Sequence, residues 1–91
     1  AELALAVHRF EAGEPGAAAR LRALGNRPAG SPAQRLVQWR ARAYAALADC
    51  SAADAVGGSE PLDRLLDVVT RAQPDGGVVN REIAGLRERC R

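Results

Sequence analysis

The stretch Ser31–Cys50, "SPAQRLVQWRARAYAALADC", decides how the rest of the chain is read. Ser31 and Gln34 have the spacing of a capping box. The Ser31 hydroxyl can accept from the backbone amide three residues on, Gln34 can reach back, and Pro32 stands where a first helical turn has no use for an amide proton. Beyond this start, Leu36, Ala43, Leu47 and Cys50 recur at helical spacing and form one apolar stripe. Val37, Trp39 and Tyr44 flank it, and Arg35, Gln38 and Arg42 are expected to face water. The spacing predicts a helix over 32–49 whose inward stripe finishes on a cysteine.

Working outward, Gly/Pro-rich breaks at 13–15 ("GEP"), 25–32 ("GNRPAGSP"), 56–61 ("VGGSEP") and 73–77 ("QPDGG") separate four more segments of the same kind. In the first, Leu3, Val7 and Phe10 share a face. In the second, Pro15 suits the first turn, Ala17, Leu21 and Leu24 share a stripe, and Gly25 is expected as a left-handed stop. The fourth places Leu62, Leu65, Leu66, Val69 and Ala72 inward, with Asp67 and Arg71 as an i,i+4 pair outside. The fifth runs Val79, Ile83, Leu86, Cys90 at spacings of four, three and four. The reading is an all-α fold in a single small domain over 1–91. It has four to five short amphipathic helices packed as antiparallel hairpins, at about 2–12, 15–24, 32–49, 60–73 and 78–90.

Composition bounds the stability of such a fold. Of 91 residues, 47% are hydrophobic, but twenty of these are Ala, so the core is thin and gains from a staple or a partner. The net charge is +2, with every basic residue an Arg. Residues 1–45 hold seven Arg against three acids, and residues 46–91 hold six against eight. That asymmetry falls short of a nucleic-acid footprint. No apolar run is long enough for a membrane span. The chain starts at Ala1 and contains no Met, which leads us to expect a processed or excised chain, from which a signal or lipid-anchor segment could have been removed.

Three readings compete for Cys50 and Cys90. Each ends the inward stripe of a helix, a placement in which one disulfide can staple the two helix ends in an oxidising compartment. Two buried free thiols in a reduced compartment, or a reactive thiol, are the alternatives. Other chemistry is poorly supplied. The two distant cysteines and His8 match no zinc spacing, so no metal and no cofactor is expected. His8 reads as a surface residue. Ser31, Ser51 and Ser59 sit where helix caps belong, Asp63 and Asp67 lie on a solvated face, and no glycine run opens a phosphate loop. No enzyme is expected. Trp39 reads either as a core-edge residue or as a partner-facing anchor, with Arg35, Arg42 and Tyr44 around it as candidate partner-binding residues.

Shifted by 34 residues, Leu3 falls on Val37, Val7 on Ala41, Phe10 on Tyr44 and Ala18 on Ala52. With "FEAGEPGAAARLRAL" at 10–24, this resembles the helix hairpins of tetratricopeptide repeats: an aromatic, a small turn with Gly and an acid, then an Ala-rich second helix. The resemblance covers residues 1–25, and 32–56 less fully. The second unit lacks a turn glycine at Leu47, Gly57-Gly58 would cut its second helix short, and no third copy follows. In size, layout and cysteine pair the chain is also similar to small disulfide-bonded bacterial envelope proteins such as secretion pilot lipoproteins. These resemblances imply a protein- or peptide-binding module of the periplasm or outer membrane. The alternatives are an inhibitor or immunity protein, or a cytoplasmic domain contacting nucleic acid or its machinery.

Overall fold

The structure is a computed structural model that describes residues 2–50, 60–73 and 77–90. All regular structure among these residues is helical: α1 (Glu2–Glu11), α2 (Ala17–Gly25), α3 (Pro32–Cys50), α4 (Glu60–Ala72) and α5 (Val78–Cys90). The expected caps Ser51 and Ser59, the breaks at Gly57-Gly58 and at 74–76, and the repeat partner Ala52 lie outside the described residues. The chain forms two compact units, residues 1–45 and 46–91.

In the first unit, α1 ends in a Schellman motif. The Glu14 amide donates to Arg9 O and the Gly13 amide to Phe10 O, both at 3.0 Å, with Gly13 in the left-handed region at φ 76°. Gly16, at φ 85°, turns the chain into α2. Two left-handed residues within four positions make a reversal that a side chain at either would strain. The hairpin brings Leu3 and Ala6 of α1 against the α2 stripe of Ala17, Leu21 and Leu24, all buried.

The α3 start follows the predicted cap with one change. Gln34 N donates to Ser31 Oγ at 3.1 Å, but the Gln34 side chain reaches one residue further back and accepts from the Gly30 amide at 2.6 Å. Phe10 and Tyr44 meet edge to face, with ring centroids 6.3 Å apart. Leu3 and Val37 line one cleft, seven residues back along each helix. Therefore α1 and α3 run in the same direction, offset by the 34 residues seen in the sequence.

In the second unit, α4 and α5 pack together and bury Leu62, Val69, Val79, Ile83 and Leu86. Leu65 and Leu66 are half-buried and Ala72 is exposed, so the inward face of α4 is narrower than the sequence stripe. The pair is pinned at the α5 start by Asn80, which is buried. Its Nδ2 donates to Thr70 Oγ1 at 3.3 Å and to Gln73 O at 3.4 Å. The expected Asp67–Arg71 pair forms at 3.1 Å on the exposed face, and Glu60 and Arg64 pair in the same way two turns earlier. Cys50 and Cys90 form a disulfide with Cα atoms 5.8 Å apart, joining the C-terminal ends of α3 and α5.

Candidate functional site

The site grows from the way α2 ends. Gly25, expected as a left-handed stop, is the last residue of the helix and has no positive φ. The cap residue after it, Asn26, stays right-handed. The Asn26 and Arg27 amides close on Arg22 O, Ala23 O and Leu24 O, and the next two acceptors along the chain, Gly25 O and Arg27 O, take donors from α3. Arg42 Nε donates to Gly25 O at 2.8 Å and Gln38 Nε2 to Arg27 O at 2.8 Å. These two side chains, one turn apart, were expected to face water. Arg42 is exposed and Gln38 half-buried, and both also hold the C-terminal end of α2, where the partial negative charge of the helix favours a cation. Gly25 is needed for this close approach. A Cβ there would lie 2.7 Å from Arg42 Cγ and 3.3 Å from the Arg42 amide nitrogen.

Below this junction lies a cleft of about 400 Å³. Leu3 of α1, Leu24 of α2 and Val37 of α3 face it from three helices, and Pro28 and Ala33 extend its apolar lining. Leu3 and Leu24 are nearly buried, whereas Val37 is 41% exposed. Four polar residues rim it, and each is held. Arg27 donates to Glu2 at 2.5 Å, Arg20 stands 3.9 Å from the same carboxylate, and Gln34 and Gln38 make the bonds already given. The Arg27 hydrogen bond and charge hold the Glu2 carboxyl below its ordinary value, with Arg20 adding to them. Glu2 also lies in the first turn of α1, where a carboxylate is favoured by the helix dipole.

The four residues nominated from the sequence as partner contacts separate. Trp39 is 7% exposed and Tyr44 9%. Both fill the interior, and the reading of Trp39 as a partner-facing anchor gives way to a core one. Arg42 is committed to Gly25 O. Arg35 is exposed and lines a shallow depression with Ala29 and Ser31 at the α3 start. The cleft itself is absent from the sequence reading. Its one advance signal is Val37, a large apolar residue on the flank of the α3 stripe, whose pairing with Leu3 in the 34-residue shift was noted without its consequence. His8, read as a surface residue, is exposed. No helix among the described residues is long and apolar enough to cross a membrane.

Comparison with protein-family models, with curated proteins and with solved structures finds no match for this chain.

Proposed function

We propose that the chain is a non-enzymatic protein- or peptide-binding module of the bacterial cell envelope, an adaptor or assembly accessory of the pilot type. The observation that carries this reading is the cleft formed by Leu3, Leu24 and Val37 with its braced polar rim. A concave, largely apolar surface with few polar groups fixed in place is what ligand and peptide sites have in common. The parallel register of α1 and α3, with α2 packed on α1, supports a tetratricopeptide-like pairing in which a groove is built from successive helices. The Cys50–Cys90 bond supports an oxidising compartment and hence the periplasm or outer membrane.

The test is a photoreactive phenylalanine analogue placed at position 37 and, as a control, at Val68, which is exposed on α4 in the other unit, in living native cells. The expected result is a covalent protein adduct at 37 and none at 68, with Cys50 and Cys90 inert to thiol alkylation until a reductant is added. Equal labelling at both positions, or freely alkylated cysteines, would overturn the reading.

A further inference from the structure

We propose that the occupant of the cleft is an acidic amphipathic helix of a partner protein. This deepens the binding-module reading and rests on it. The geometry narrows the form of the ligand first. Strand addition needs an exposed sheet edge, and the described elements are all helices. Polyproline segments dock on aromatic-lined grooves, and the residues lining this cleft include no aromatic. A helix laying apolar side chains at i, i+3 and i+4 into a groove walled by helices is the mode that fits an apolar cleft, and Leu3, Leu24 and the half-open Val37 supply the matching floor.

Charge narrows its composition. The unit that carries the cleft, residues 1–45, has seven Arg against Glu2, Glu11 and Glu14. The one carboxylate on the cleft rim, Glu2, is occupied by Arg27 and Arg20, so it offers little to a basic ligand. Arg35 stands exposed beside the α3 wall. Arg27 lines the cleft and is balanced by Glu2, while Arg20 and Arg35 line neighbouring depressions, so a helix long enough to extend past the cleft meets a surplus of positive charge. Acidic flanks gain attraction and faster encounter there, and basic flanks are repelled.

The experiment uses the full oxidised chain and three synthetic peptides of about four helical turns, sharing one leucine stripe at i, i+3, i+4 and i+7 and carrying Glu, Gln or Lys at the remaining positions. Binding is read by fluorescence anisotropy at low and moderate salt, and its site by amide chemical-shift changes. The expected result is that the Glu peptide binds at least about tenfold more tightly than the Lys peptide and weakens as salt rises. Its shifts centre on Leu3, Leu24 and Val37. Val37→Asp should abolish binding while leaving the thermal melt in place, and Arg35→Glu should erase the preference for acidic peptide. Equal affinities, a preference for Lys, or shifts away from the cleft would overturn this inference and leave the binding-module reading standing. Failure of all three peptides to bind would overturn it too, with the crosslink at 37 still judging the broader reading. A dimer of the free chain that Val37→Asp dissolves would make a second copy the occupant and overturn it equally.

Discussion

Reducing Cys50–Cys90 is expected to unfold the second unit at a temperature where the first is still folded. The bond joins cysteines 40 positions apart, and the loop it closes contains α4 and α5 whole and no part of α1 or α2. On the chain-entropy account, a loop of that length restricts the unfolded chain enough to contribute about 4 kcal/mol. A chain of this size has roughly 5–10 kcal/mol in all. What remains to hold the second unit is a small apolar interior in which Leu47, Leu62, Val69 and Ile83 are the large, fully buried side chains. At roughly 4–8 °C per kcal/mol for so small a domain, the loss corresponds to a fall in melting temperature of about 15–30 °C. The measurement compares circular-dichroism melts of the oxidised protein, the protein in a phosphine reductant, and Cys50→Ala/Cys90→Ala. Both cysteines are only half-buried, so the double variant removes the bond without opening a large cavity. Hydrogen exchange then assigns the loss to helices: amides of α4 and α5 lose protection, and those of α1 and α2 keep theirs. Melts that agree within a few degrees with and without the bond would refute the entropic argument. Protection lost in equal measure from α1 and α5 would refute the assignment of the staple to the second unit.

Two further expectations concern the first unit. Gly25→Ala should destabilise the protein by about 1–2 kcal/mol, because displacing Arg42 loses a charge-assisted hydrogen bond that outweighs the better helix propensity of Ala. In a denaturant-melt double-mutant cycle, Gly25→Ala and Arg42→Ala should therefore combine to less than the sum of their separate costs. For Glu2, the folded carboxyl titrates below its ordinary value, so its contribution to stability is fully present above the unfolded value and is lost as pH falls through the folded one. The difference in melting temperature between wild type and Glu2→Gln should accordingly favour wild type near neutrality and shrink on acidification below 4.5. A difference that grows in acid would show that the Arg27 contact does not stabilise the fold.

The signals that were legible in the chain are those whose cause lies within one or two turns. The Ser31 cap, the i,i+4 pair of Asp67 and Arg71, and the stripes of α2 and α5 depend on neighbours in sequence, and each forms as the spacing requires. The stops were harder. Gly13 and Gly25 both follow an apolar stripe, yet only Gly13 adopts the left-handed conformation, because a reversal into α2 needs it there. After Gly25 the chain goes on right-handed through Asn26, and the glycine is required for space rather than for backbone freedom. Asn80 was missed for a related reason: periodicity reads a polar residue in a first turn as solvated, whereas its amide spans to the end of the preceding helix.

The cleft was out of reach for a reason that a different question could have removed. A helical wheel records the direction in which a Cβ leaves the axis and says nothing of how far a long side chain returns. Gln38 and Arg42 leave α3 on its polar side and return to α2 through their polar ends, so the wheel assigned them to water. Accounting for backbone acceptors gives them a second role. The Asn26 and Arg27 amides meet the carbonyls of Arg22, Ala23 and Leu24, which leaves those of Gly25 and Arg27 to take donors from another element. The donors that meet them are Gln38 and Arg42 on the next element, one turn apart. Once they are docked on the end of α2, Val37, on the same side of α3 between them and Ala33, lines the cleft with Leu24 of α2 and Leu3 of α1. The two carbonyls at the end of α2 that Arg42 and Gln38 meet thus fix the side of α3 turned toward α2, and Val37 on that side is where the cleft forms.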